Sequence, residues 1–127
     1  MLDHIGVRVS DIAKAKDFYT KALAPLGYSV QKDLPEYNVF GMGDGGHMAD
    51  FWVSPVDGDA GEQHVAFSAK DKATVDAFHK AGLEAGGMDN GAPGYRKEYT
   101  PGYYAAFIKD ADGHNIEVVF HDPNPSE

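Results

Sequence analysis

The sequence predicts an α+β domain in which one βαβββ module is written twice, its curled mixed sheets enclosing a shared cleft. Three observations carry this reading. Displaced against itself by 60 places, the chain aligns without a gap: His4 falls on His64, Asp11 on Asp71, Ala13 on Ala73, Phe18 on Phe78, Leu23 on Leu83 and Gly27 on Gly87. Within each copy, alternation with a period of two gives way to helical spacing. After each helix come short strand-like runs split by Gly- and Asp-rich turns. Two copies of this size indicate a duplicated module, because solenoid units are shorter and stack in larger numbers.

In the first copy Ile5, Val7 and Val9 alternate with His4, Gly6 and Arg8, a strand with one apolar face. Asp11 is placed to cap a helix, along which Ile12, Ala15, Phe18, Tyr19, Ala22 and Leu23 recur at helical spacing. Gly27 ends it as a left-handed residue would. Tyr28–Lys32 reads as a strand, and the runs 37–42 and 47–54 flank Gly43-Asp44-Gly45-Gly46 as a hairpin. In the second copy Val65 and Phe67 oppose His64, Ala66 and Ser68. Asp71 caps a helix carrying Ala73, Val75, Ala77, Phe78, Ala81 and Leu83, and Gly86-Gly87 stops it. The runs 103–108 and 115–120 flank Asp110-Ala111-Asp112-Gly113 as the closing hairpin, while the strand expected near 87–95 is glycine-rich and weakly marked. The organisation is one domain over 1–127: a first module at about 1–54, a linker 55–61, a second module at about 62–121 and a polar tail 122–127.

Composition narrows the partners. With 43% hydrophobic residues the chain can bury a core. A net charge of −9 with scattered basic residues excludes a phosphate-binding surface, hence no nucleic acid. The absence of cysteine excludes disulfides and thiolate metal sites. The start MLDHIGVRVSD lacks a basic leader and an apolar run, and no stretch approaches the roughly 18 apolar residues needed to cross a bilayer. A soluble cytoplasmic protein with a small-molecule partner and no membrane contact is expected.

Strand parity then selects the candidate site. If Ile5, Val7 and Val9 face the helix, His4 and Arg8 face the other way, and so does His64 in the second copy. In the closing strands Ile116, Val118 and Phe120 are the apolar set, which turns Glu117 inward; the corresponding segment 49–53 puts Asp50 at the same place, with Trp52 on that face. Two imidazoles and two carboxylates suit Zn²⁺, Mn²⁺, Fe²⁺, Ni²⁺ or Co²⁺ with positions left open for substrate. Pairing residue 106 with 117 in the last hairpin would turn Tyr104 inward and Tyr103 outward, so Trp52 and Tyr104 are the expected pocket aromatics, with Tyr99 on the loop Gly91–Tyr104 that is expected to close over the site. Arg8 and Arg96 are the candidate partners for a substrate anion. His47, His79, His114 and His121 are read as non-ligands, His114 by outward parity.

On HIGVRVSD, the FYTKAL helix, HVAF and DADGHNIEVV, the chain resembles the vicinal oxygen chelate superfamily, which groups glyoxalase I, bleomycin-resistance proteins, fosfomycin-resistance enzymes, methylmalonyl-CoA epimerase and extradiol dioxygenases. The resemblance covers nearly the whole chain. It implies a divalent metal held by His4, His64 and Glu117, with Asp50 a departure from the usual His, Glu or Gln and therefore a water-mediated or substrate-binding residue. It implies lyase, isomerase or dioxygenase chemistry on a small oxygenated substrate chelated through neighbouring oxygens, with Glu117 or Asp50 as base, and a homodimer that in some members completes the site across subunits. The other reading it allows is a metal-free binding or sequestering protein of the bleomycin-resistance type, which the acidic charge favours for cationic ligands.

Overall fold

A computed structural model describes residues 1–46 and 48–125. The chain runs β1 (Ile5–Val9), α1 (Ile12–Ala22), β2 (Ser29–Leu34), β3 (Val39–Gly43), β4 (Phe51–Pro55), β5 (His64–Ser68), α2 (Lys72–Glu84), β6 (Met88–Tyr95), β7 (Tyr103–Lys109) and β8 (Asn115–His121), with a single 3₁₀ turn at Ala24–Leu26 after α1. Each half forms its own four-stranded mixed sheet, ordered β1-β4-β3-β2 and β5-β8-β7-β6, with the first and last strands of the half parallel and the others antiparallel. The two sheets are not closed into a barrel. The strand near 87–95 forms in full. Its glycines serve two register shifts, between Asp89 and Gly91 and between Gly91 and Gly94. The segment expected to be a long loop is therefore strand as far as Tyr95, and only 96–102 connect β6 to β7.

The helices begin where the sequence signals them. The Asp11 carboxylate accepts from Lys14 N–H at 3.1 Å, and the Asp71 carboxylate accepts from Thr74 N–H at 2.8 Å and from the Thr74 hydroxyl at 2.7 Å. Gly27 takes φ 82° and Gly86 φ 99°, the left-handed conformation expected of stop residues. Gly87 meets a second demand. A Cβ there would stand 2.5 Å from the Ile108 side chain and 2.8 Å from Phe18, so α2 can approach the sheet only over a glycine.

The apolar faces of both modules share one core: Val7, Val9, Phe18, Tyr19, Phe40, Met42, Phe51 and Val53 from the first half, with Val65, Phe67, Val75, Phe78, Ile108, Ile116 and Val118 from the second. Phe67 meets Phe51 and Tyr28 edge-on at 5.3 and 5.4 Å. Three polar contacts lock the halves together. The Tyr19 hydroxyl donates to Asp110 Oδ2 at 2.5 Å, and Ser10 N–H donates to the Asp112 carboxylate at 3.2 Å. The fully buried His114 accepts from Gln63 N–H at Nδ1 (3.0 Å), which leaves its Nε2–H to donate to the Arg8 carbonyl at 2.7 Å. His114 is thus interior rather than outward-facing. Its parity fails because it lies in the turn before β8, where Asp110 Oδ1 accepts from its N–H and holds the turn in place.

Among the described residues no helix is long and apolar enough to cross a membrane.

Candidate functional site

In the second half the closing strand brings chemistry together. The β5–β8 ladder sets Ala66 opposite Glu117 and His64 opposite Asn115. His64 Nε2 lies 2.9 Å from Glu117 Oε1, and the Tyr103 hydroxyl donates a short hydrogen bond to Glu117 Oε2. Glu117 is 2% exposed. A carboxylate so placed is costly unless compensated, and among the described residues no lysine or arginine forms an ion pair with it. Behind the imidazole, Asn115 Nδ2 stands 2.8 Å from His64 Nδ1, and Asn90 Nδ2 stands 3.1 Å from Asn115 Oδ1, so the ring is held from both nitrogens. Tyr103 is braced edge-on by Tyr99 at 5.1 Å and His121 at 5.3 Å. Burial, then its bond to Glu117, pushes the Tyr103 hydroxyl up to about 12, so it stays a proton donor at neutral pH. Phe107, Ala105 and Val119 form a small apolar floor under this group.

Tyr103 is the residue that sequence reasoning missed. The hairpin pairs Phe107 with Glu117 and Ala106 with Val118, one residue away from the expected register. A slip of one exchanges the faces: Tyr103 joins Glu117, and Tyr104 turns to the helix side, where its hydroxyl donates to Asp76 of α2 at 2.7 Å. The cause is the turn. Asp110 Oδ1 accepts from Asp112 N–H and His114 N–H, which makes the connection one residue longer than the glycine-centred reading allowed.

In the first half the partners are arranged differently. Asp50 precedes β4, and its Oδ2 accepts from the Tyr28 hydroxyl at 3.0 Å, while Oδ1 is buried without a hydrogen-bond partner. Burial and this bond push Tyr28 up to about 12. Asp50 shares a hollow of about 410 Å³ with Asp3, His4 and Asp44, walled by Leu26, Tyr28, Phe51 and Phe67. His4 is exposed, its Nδ1 2.6 Å from Asp3. Trp52 does not line this hollow, so Asp50 and Trp52 are not walls of one pocket. Arg8 lies on the exposed face of β1. Arg96 donates to the carbonyls of Gly94 and Ala92, both at 2.9 Å, and stacks at 5.3 Å over Phe107, so its guanidinium is engaged by its own sheet. Tyr99 is exposed beside Tyr103. Of the remaining histidines, His79 pairs with Asp89 at 2.9 Å, His114 is structural, His121 sits against Tyr103, and His47 lies outside the described residues.

Of the three expected ligands, His64 and Glu117 come together while His4 lines the separate hollow that holds Asp50, and among the described residues no three metal-ligating side chains gather in one chain. The His64–Glu117 pair nonetheless has the donor chemistry of half a centre. Neighbouring ligands about 2.1 Å from an octahedral ion are about 3.0 Å apart, and His64 Nε2 and Glu117 Oε1, now hydrogen-bonded, stand at 2.9 Å. The Asp50 oxygen left without a partner adds a further donor in the first half.

Comparisons with known proteins agree with this architecture. The chain superposes on a glyoxalase/bleomycin resistance protein from Albidiferax ferrireducens T118 with a TM-score of 0.79 and 26% identity, covering 94% of this chain and 98% of that one. An integron cassette protein from the Halifax Harbour sewage outfall metagenome gives 0.72 at 18% identity, over 94% and 97% of the two chains. TioX from Micromonospora sp. ML1 gives 0.71 at 16% identity, over 95% and 98%. These last two show a shared fold. No curated protein sequence matches. The model of the glyoxalase/bleomycin resistance protein/dioxygenase superfamily matches residues 1–118, and the chain belongs to that superfamily.

Proposed function

We propose that this protein is a metal-dependent enzyme acting on a small oxygenated substrate, with its centre built from His64 and Glu117 of one copy and His4 of a second copy of the chain. The observation that carries this reading is Glu117: a carboxylate 2% exposed, held by an imidazole and a phenol, with no lysine or arginine paired to it among the described residues. A buried carboxylate oriented by an imidazole and a phenol has the chemistry of a metal ligand. A divalent ion bound there supplies Lewis acidity toward neighbouring substrate oxygens.

The chain's own groups do the rest. Tyr103 and His64 fix the plane of the Glu117 carboxyl, and the Phe107, Ala105 and Val119 floor keeps water from one side of it. Once loosened from the ion, the Glu117 carboxylate is the group that would take a proton from a substrate carbon beside a carbonyl. Asp50 Oδ1, buried and without a partner, is the candidate second base. A homodimer is required by this reading, since one copy presents only two of the ligands at one place.

The hollow lined by Asp3, Asp44 and Asp50 favours a second reading, a metal-free protein that sequesters a cationic small molecule, because no lysine or arginine lines it. Metal content by mass spectrometry separates the two. Wild-type protein is expected to carry near-stoichiometric divalent metal that His64→Ala and Glu117→Ala both lose. A wild type that stays metal-free after incubation with Mn²⁺, Fe²⁺, Ni²⁺ and Zn²⁺ contradicts the enzyme reading.

A further inference from the structure

The chain's single tryptophan is bedded on glycine. In the first sheet Trp52 pairs with Gly6 of β1 on one side and Gly41 of β3 on the other. A Cβ built on Gly41 would stand 2.9 Å from both Cδ2 and Cε2 of Trp52, the two atoms of the indole ring fusion. Equal contact with both fusion atoms means the ring lies flat over the Gly41 backbone, with its other face turned away from the sheet. At the equivalent place in the second half stands Glu117, flanked by Ala66 of β5 and Phe107 of β7 as Trp52 is flanked by Gly6 and Gly41. In the first half the corresponding β2–β3 connection is the short turn 35–38, and Trp52 remains part-exposed. Among the described residues its ring meets no other aromatic ring and its Nε1–H has no hydrogen-bond partner. One pair further along the same face, Arg8 stands opposite Ser54, and among the described residues its guanidinium has neither a hydrogen-bond nor an ion-pair partner.

We infer that Trp52 is a stacking platform for a planar conjugated ring carrying an anionic substituent, the ring lying on the indole and the anion reaching Arg8. An aromatic face with no ring against it stacks planar ligands with little ordering cost. A guanidinium binds carboxylate with directional hydrogen bonds. Gly41 matters because a Cβ there would press on the indole at 2.9 Å and on the Ala49 methyl at 2.8 Å. The inference names the substrate class of the proposed enzyme and rests on that reading for the substrate's role, while the binding itself is measured independently of metal.

Because Trp52 is the only tryptophan, intrinsic fluorescence reports on this one position. The probes are 4-nitrobenzoate (planar anion), cyclohexanecarboxylate (non-planar anion) and 4-nitrobenzyltrimethylammonium (planar cation), titrated into full-length protein whose metal content is measured in the same samples. Saturable quenching is expected from 4-nitrobenzoate alone. Arg8→Gln should weaken it about tenfold, the equivalent of roughly 1.4 kcal/mol, with an unchanged circular dichroism spectrum. Gly41→Ala, whose methyl displaces the ring, should shift the emission and abolish saturation; if that variant does not fold, Arg8→Gln decides. No saturable quenching by 4-nitrobenzoate, equal quenching by the cation, or an emission maximum that moves with protein concentration because a second copy covers the ring would each overturn the inference. Metal-free protein that still binds 4-nitrobenzoate contradicts the metal reading alone, and metal-loaded protein that does not bind it contradicts this inference alone.

Discussion

Glu117 and Tyr103 share a hydrogen bond that no inspection of residue types would reveal. The repeat carries His4 onto His64, but it does not carry Asp50 onto Glu117: Trp52 lies opposite Gly6 where Glu117 lies opposite Ala66. The tyrosine was not legible, because its facing depends on one residue of turn length set by the Asp110 carboxylate. Asp50 shows the same limit from the other side. Parity placed it beside Trp52, but it sits just ahead of β4, where the Tyr28 hydroxyl draws its carboxylate into another hollow. At this scale Tyr103→Phe keeps the ring between Tyr99 and His121 and removes only the donor to Glu117. A hydrogen bond to a charged group is worth about 1.5–3 kcal/mol, so the Kd for Mn²⁺ measured calorimetrically is expected to rise by about tenfold or more, with thermal stability little changed. An unaltered Kd would show that Tyr103 does not position the carboxylate.

The elements themselves were largely readable. Asp caps, helical apolar spacing and glycine stops bracket α1 and α2, and the glycine-rich strand near 87–95 was obscure because its Gly and Pro residues serve register shifts rather than a regular ladder. The cap of α2 gives a pH-dependent signature. Hydrogen bonds from Thr74 hold the Asp71 carboxyl below the usual carboxylate range. A depressed native value contributes stability above the unfolded value and loses it as pH falls through the native one. Asp71→Asn keeps an acceptor at the cap but cannot titrate. Urea midpoints measured from neutral pH down through the carboxylate range are therefore expected to fall more steeply for wild type than for Asp71→Asn. Parallel curves would remove Asp71 from the acid response.

Across the whole molecule, duplication explains the shared core and the locking contacts between halves. Tyr19 joins α1 of the first half to the turn before β8 of the second through Asp110. Burial, then the Asp110 charge, raises its hydroxyl well above the ordinary tyrosine value. The sign follows directly: a raised native value stabilises the fold below the unfolded value of about 10 and is lost as pH rises beyond it. Stability is expected to decline above about pH 10, and Tyr19→Phe should reduce that decline. At neutral pH the same variant should cost roughly 1–3 kcal/mol in urea unfolding, because it leaves Asp110 Oδ2 without its partner. A neutral variant with an unchanged alkaline decline would contradict the role assigned to this lock.

The fold was written in the sequence, but the way His4 would join His64 and Glu117 was not, because the two halves carry different residues at matching places and a repeat does not specify which copies meet. The central claim is that His64 and Glu117 of one copy and His4 of another hold one metal. Its most direct test is complementation by native mass spectrometry of His4→Ala and Glu117→Gln proteins, each alone and then unfolded and refolded together. Each alone is expected to be metal-free. In the mixed dimer one site regains His4, His64 and Glu117 together, so one metal per heterodimer is expected. A heterodimer that forms but binds no metal, or a His4→Ala protein that keeps a full complement, would contradict the account.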